Sequence, residues 1–479
     1  MFTNSILQLI KEASTNIPED VLEALFQAKN TEEQNSKGKL SLEIILKNIE
    51  LAKNLKAPIC QDTGLPTFFV KIPEGVLQKK VKDNILEATK KATKEGFLRP
   101  NAVDSITGKN SGNNIGEGIP KIYFEESKDE NLNITLLLKG GGSENVSDQI
   151  SLPSDLKDFG KAERNLEGVK KSVLQIIKNA QGRGCAPGII SVHIGSDRAG
   201  GYEYAKKNLL EQIGKKNENL ELEKLEAEII KEANNMNIGP MGLSGKTTIL
   251  DCKISSSHRI PASFFVTVSY MCWASRRANI IVNKKGEIIK NNFNSKIIKQ
   301  TTSLKDIKKI NFPISEKEVR TLKVGDMLLL NGTIYLGRDS LHAYSQNNKL
   351  KKDISGSAIY HCGPIAIKNK SNEWEFLAAG PTTSIREEPY EADFIKKTAI
   401  KAVIGKGGMG NSTLEALKKY GAVYLHTIGG AASYYAKNIK KVIDVDYLEE
   451  FGIPEAMWKV EVENFFCIVS MDSNGRTLH

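Results

Sequence analysis

Residues 283–310 read NKKGEIIKNNFNSKIIKQTTSLKDIKKI, a stretch rich in lysine, asparagine and hydroxyl residues. A segment that polar cannot form the middle of a hydrophobic core, so it constrains the chain to fold as separate bodies on either side. With 479 residues, 40% hydrophobic and 26% charged, the chain is long enough for two sizeable cores. The reading is a domain over 1–285, a linker over 286–310 and a domain over 311–479.

The two sides are patterned differently. On the first, SILQLIKEA, EDVLEALFQA and LEIILKNIELAKNL place apolar residues three and four apart, the signature of amphipathic helices. PTFFVKI (66–72), KIYFE (121–125) and NITLLLKGGG (133–142) read as strands, and 75–95 and 162–180 as helices. A strand within GRGCAPGIISVHIGS (182–196) follows, then two helices and the strands KTTILDCKIS (246–255) and ASFFVTVSYMCW (262–273). Past the linker, GDMLLLNGTIYL, SAIYHCG, EFLAAG, FIKKTA, KAVIG, STLEALKKYG and AVYLHT alternate strand and helix, an α/β pattern.

The formal net charge is +10. Its lysines are spread along the chain with no aromatic-interleaved patch, which argues for solvated surface and against nucleic acid. Six cysteines without a CxxC pair are no disulfide framework. There is no secretory leader pattern and no apolar run of membrane-spanning length. The expectation is a reduced, cytoplasmic protein.

Two glycine-rich motifs imitate nucleotide sites. PMGLSGKTT (240–248) ends like a phosphate loop, but Pro240 stands where the first glycine belongs and a strand, not a helix, follows. GKGGMG (405–410) matches a dinucleotide fingerprint, but the next strand ends in His426 and Thr427 where an acid should hold a ribose. Lys406 within that turn still offers an ammonium to an anion.

The remaining motifs share a chemical theme. PICQDTG (58–64) sets Cys60, Gln61 and Asp62 side by side; alone it fits a solvated turn as well as a site. KGGGSEN (139–145) lets a ligand approach the backbone closely because its three glycines lack side chains. Arg99, Arg338 and Arg386, the last in AAGPTTSIRE (378–387), bring guanidinium forks suited to carboxylates. Cys60, Cys185 and Cys272 lie at turns or strand ends, whereas Cys252, Cys362 and Cys467 lie within strand-like runs. Spacing alone does not separate metal-binding thiols from buried ones.

PICQDTG, KGGGSEN, IGPMGLSGKTT, SYMCWASRRA, GPTTSIR and GKGGMGN, in this order, resemble the class I, iron–sulfur fumarate hydratases and their L-tartrate dehydratase relatives. The likeness runs from about residue 40 to EAMWKVEVENFFCIV (455–469), with the family's alpha and beta parts on one chain. It implies an α/β fold: an α+β N-terminal domain and a swivelling-type β/α C-terminal domain, with the active site between them. By the same resemblance Cys60, Cys185 and Cys272 hold a [4Fe-4S] cluster. Such a cluster ordinarily takes four thiolates, so three leave one iron open as a Lewis acid. Thr382 matches the base and Asp62 its acid partner. Gln61, Arg99, Gly141, Gly142, His258, Arg338, Arg386 and Lys406 match the dicarboxylate pocket. The implied protein is a homodimer that interconverts fumarate and L-malate, a tricarboxylic acid cycle reaction, with tartrate dehydration as the rival. An iron–sulfur sensor without turnover and a nicotinamide oxidoreductase are readings from other classes. The sequence departs from the family at GCAPG, at Glu387, where a methionine is common, and at Cys362, where a small residue is usual.

Overall fold

Spacing of three and four makes the helix Thr3–Thr15, in which Ile6, Leu9, Ile10 and Ala13 fall on one buried stripe. The computed structural model describes residues 2–294, 296, 302, 304 and 307–478. The chain forms two compact units, Met1–Leu46 with Asp62–Lys299, and Lys47–Gln61 with Gln300–His479. The boundary therefore also passes through the Gln61–Asp62 peptide, inside PICQDTG. Of the stretch 286–310, Ile288–Asn291 is an edge strand and Lys308–Phe312 begins another. Positions 295, 297–301, 303, 305 and 306 of it lie outside the described residues.

The first unit holds a five-stranded sheet in the order Ile288–Asn291, Arg276–Val282, Leu132–Lys139, Leu65–Pro73, Lys121–Ser127. Phe68, Ile134 and Leu136 pack there with Ile6 and Leu9 of the first helix and with Val81 and Ile85 of the helix Gln78–Lys94. Register decides what gathers at its end. Leu65 pairs with Lys139 and Arg276 with Leu138, so the turn before Leu65, the glycine turn after Lys139 and the start of the Arg276 strand adjoin. A four-stranded sheet, Asp148–Ser151, Phe265–Met271, Gly188–Ile194 and Ile249–Ser256, packs against the helices Leu166–Ala180 and Leu220–Asn235. Ile189 opposite Met271 brings Cys185, just before one strand, to the end where Cys272 follows the other.

In the second unit Met327–Gly337, Ala358–His361, Ala402–Gly405 and Val423–His426 are successive parallel neighbours. The long strand Met457–Met471 pairs antiparallel with both the first and the last of them, closing a five-stranded ring. Parallel strands put their carboxyl ends on one side, where α/β folds bind ligands. Here Gly337 pairs with His361 and Gly405 with His426, so Arg338, His361 and Lys406 emerge together. The strand predicted at EFLAAG forms as Trp374–Ala378, but in a separate two-stranded hairpin with Ile365–Lys368.

Candidate active site

In the first unit Asp62 sits on the glycine turn. A Cβ built on Gly140 would lie 2.9 Å from its Oδ2, so glycine is needed there for close approach. The amides of Gly142 and Gly64 donate to its Oδ2 and Oδ1 at 3.5 and 3.3 Å. Arg276 donates to the Asp62 carbonyl at 2.8 Å, and its buried Nε and Nη1 have no hydrogen-bond partner. Arg99 is buried nearby, its amide bonded to Thr63 Oγ1 at 3.1 Å and its Nε to Asn101 at 2.7 Å.

Cys185 takes a left-handed conformation, φ 55°, after the turn Gln181–Gly184. Its carbonyl accepts from the Trp273 amide at 3.4 Å, which ties it to the residue after Cys272. Tyr270 packs between them: Cβ atoms on Gly184 and Gly188 would strike its ring at 2.6 and 2.5 Å. Lys139 is buried beside Cys272, its Nζ 2.8 Å from Glu144 and 3.1 Å from Ser147. Burial pulls its pKa down to about 8, against the opposing pull of Glu144. The imitation phosphate loop has a local task. Glu32 accepts from the amides of Lys246 and Thr247 at 2.9 Å, and the Met241 amide donates to Ala186 at 2.9 Å. A carboxylate of the chain itself fills the amide nest, and the segment braces the Cys185 turn. His258 is exposed in an irregular loop.

In the second unit the Pro58–Gln61 segment is strapped to the loop carrying Thr382. Gln61 Nε2 donates to Pro381 O at 3.1 Å, and a Cβ on Gly380 would strike Gln61 Oε1 at 2.4 Å. The Ala432 amide donates to Ile59 O at 3.1 Å and Ser433 Oγ to Pro58 O at 2.9 Å. Cys60 Sγ lies 3.6 Å from Gln61 Oε1. Thr382 follows, its amide and Oγ1 donating to His361 O at 2.8 and 3.2 Å. Thr383 bridges to Lys406, and the Ser384 amide donates to the Lys406 carbonyl at 3.1 Å, so the Thr382 and Lys406 turns share a joint.

Asp339 lies between two of the predicted arginines, 3.3 Å from Arg338 and 3.0 Å from Arg386. Burial raises its pKa, but the two guanidiniums hold it below the usual carboxylate range. A Cβ on Gly363 would strike Arg338 Nη1 at 2.6 Å, so that glycine makes room for the fork. Glu387 is wholly buried without a hydrogen-bond partner, 3.8 Å from Arg386, and burial pushes its carboxyl up. At the Lys406 turn, the amides of Gly410 and Thr413 go to Glu388 at 2.7 and 3.2 Å. The start of the helix Asn411–Tyr420 is thus capped internally.

Compared with known proteins, residues 3–281 match the family model described as fumarate hydratase (Fumerase), and residues 283–479 match that of the fumarase C-terminus. The chain belongs to the fumarate hydratase family. A Geobacillus stearothermophilus protein provisionally named fumarate hydratase class I is 48% identical over 489 aligned positions, 99% of this chain and 95% of the relative. Two Methanocaldococcus jannaschii proteins provisionally named L(+)-tartrate dehydratase subunits match in halves. The alpha subunit is 38% identical over 57% of this chain and 94% of its own length. The beta subunit is 44% identical over 35% of this chain and 88% of its own. Among the described residues no helix is long and apolar enough to cross a membrane.

Within this fumarate hydratase, sequence reasoning singled out the arginines and glycines but passed over a buried group behind Thr382. His342, His361 and Glu391 are wholly buried together. His361 stood inside the quoted SAIYHCG, yet nothing local marks a histidine as paired with a glutamate on another element. Lys139, beside the glycine run, was also missed.

Proposed function

We propose that this chain hydrates fumarate reversibly to L-malate, using Asp62 and Thr382 for proton transfer and a [4Fe-4S] cluster on Cys60, Cys185 and Cys272. The near full-length identity to a protein named class I fumarate hydratase carries the reading. The donor chemistry suits the cluster: all six cysteines are free thiols, and Cys60 and Cys272 are the two that are partly exposed. When bound, the cluster supplies a Lewis-acidic iron for the substrate's hydroxyl and carboxylate.

The protein's own groups do the rest. Arg99, Arg338, Arg386 and Lys406 are the clamps for two carboxylates, with Gln61, Gly141, Gly142 and His258 as further pocket residues. In hydration, Asp62 takes a proton from water, its carboxylate held in place by the amides of Gly142 and Gly64. The water oxygen joins one alkene carbon, and the neighbouring carbon takes its proton from Thr382. The resulting alkoxide is offset by the charges of Arg386 and Lys406. In malate dehydration Thr382 is the base and Asp62 the acid.

The closed ring of four parallel strands and one antiparallel strand supports the swivelling-type β/α character of the second unit, which is part of this proposal, as are a homodimer and a reducing cytoplasm. Light scattering tests the dimer. The deciding experiment is anaerobic purification followed by side-by-side assays with fumarate, L-malate and L-tartrate. The proposal expects the first two to be turned over far faster than the third. Preference for tartrate establishes the rival, and inactivity on all three defeats both.

A further inference from the structure

Behind Thr382 stands a file of buried side chains that the hydration chemistry does not use. Ser384, His361, Glu391 and His342 have no solvent exposure. Nε2 of His361 and Nε2 of His342 lie 3.1 and 3.2 Å from the same oxygen, Glu391 Oε2. Among the described residues neither Nε2 and neither Glu391 oxygen has a hydrogen-bond partner, so these are charge contacts at close range. His342 Nδ1 faces the Arg338 carbonyl at 2.9 Å. With that carbonyl at Nδ1 and the Glu391 carboxylate 3.2 Å from Nε2, His342 is held above its usual range and pairs with Glu391 by charge. His361 Nδ1 lies 2.9 Å from Ser384 Oγ. The Ser384 hydroxyl also accepts from Tyr424 at 2.9 Å. His361 is thus held between Glu391 at one ring nitrogen and Ser384 at the other.

The file ends on the proposed chemistry. His361 holds Ser384 through its ring and Thr382 through its carbonyl. Ser384 in turn binds the Lys406 carbonyl through its amide. Space there is tight: a Cβ on Gly405 would fall 1.9 Å from Ser384 Oγ.

We propose that Glu391, His361 and Ser384 are positioning residues that set Thr382 and the adjoining Lys406 turn for proton transfer, an inference that rests on the hydratase reading above. Serine, histidine and glutamate in successive contact resemble a nucleophile with its base. Full burial of Ser384 keeps it from any substrate, so its part is orientation.

The test compares wild type, Ser384→Ala, Thr382→Ala and the double variant, all purified anaerobically with the cluster in place. Ser384→Ala is expected to lower kcat by about 10²-fold, the scale of a misplacement near 1 Å. KM, iron per chain and cluster absorbance should stay at wild-type values. The double variant should be no slower than Thr382→Ala alone, because Ser384 acts through Thr382. Should Ser384→Ala fail to fold, Ser384→Cys keeps the volume, weakens the hydrogen bond and is expected to show the same loss. Metal analysis of the wild type should give iron and no stoichiometric second metal. Wild-type kcat in the serine variants, losses that multiply in the double variant, or a divalent cation on His342, His361 and Glu391 would each overturn the inference. A wild type inactive on all three acids defeats the hydratase reading instead. The crystal structure of Ser384→Ala then decides the positioning claim: Thr382 displaced upholds it, and Thr382 unmoved refutes it.

Discussion

At the scale of single residues the cysteines divide by setting. Cys252, Cys362 and Cys467 have no exposure, and burial pushes the thiols of Cys252 and Cys467 well above their usual range. Such thiols stay protonated and serve as small hydrophobes. Cys60→Ala, Cys185→Ala and Cys272→Ala are each expected to abolish cluster absorbance. Cys252→Ala should keep it and lose about 1–2 kcal/mol in stability, measured by denaturant unfolding. Loss of the cluster in Cys252→Ala alone would reverse the assignment. Arg386→Lys keeps the charge but loses the planar fork, so kcat/KM is expected to fall at least about tenfold with iron content unchanged. Much of this was legible because motif residues sit at turns and strand ends. His342, His361 and Glu391 were not: their meaning depends on three elements meeting in space, and no spacing in the sequence encodes that.

Elements explain why the imitations are imitations. The PMGLSGKTT amides belong to Glu32, so saturable binding of a magnesium–nucleotide complex is not expected in equilibrium dialysis. Glu32→Ala should destabilise the chain by about 1–3 kcal/mol, since it orphans buried amides. Local periodicity foretold many of the helices and strands, but the strands Arg276–Val282 and Met457–Met471 and the helix Asp339–Asn347 were not among them. It could not foretell that EFLAAG would leave the parallel run for its own hairpin, because strand partners are chosen by non-local packing. The buried His342–Glu391 pair joins the helices Asp339–Asn347 and Glu388–Thr398. Burial opposes charge on both groups, but each partner overrides it: His342 is held above the usual imidazole range and Glu391 below the usual carboxylate range. His342 binds more protons folded than unfolded, so its contribution is full below about pH 6.5 and is lost as pH rises. Glu391 binds fewer, so its contribution is full above about pH 4.3 and is lost as pH falls. Stability should peak between those values, with His361 and Glu387 facing the same pair. Glu391→Gln should flatten that peak in thermal unfolding across pH; an unchanged profile would show that the pair is not ionised.

For the whole molecule, the polar stretch announced two bodies but not that Lys47–Gln61 would join the second of them. That excursion follows from hydrogen bonds of Asn48, Ile59 and Gln61 to residues 320 to 386 positions later, which no linker reveals. The central claim is a hydratase whose cluster has only three cysteine ligands. An iron without a thiolate is open to substrate and equally to oxidants. The direct measurement follows fumarate hydration by the anaerobically purified chain, then after air and chelator, then after anaerobic ferrous iron and thiol. The account predicts activity that decays in air while circular dichroism stays constant, decays more slowly with bound dicarboxylate, and returns with iron. Full activity after prolonged aeration and chelation would contradict it.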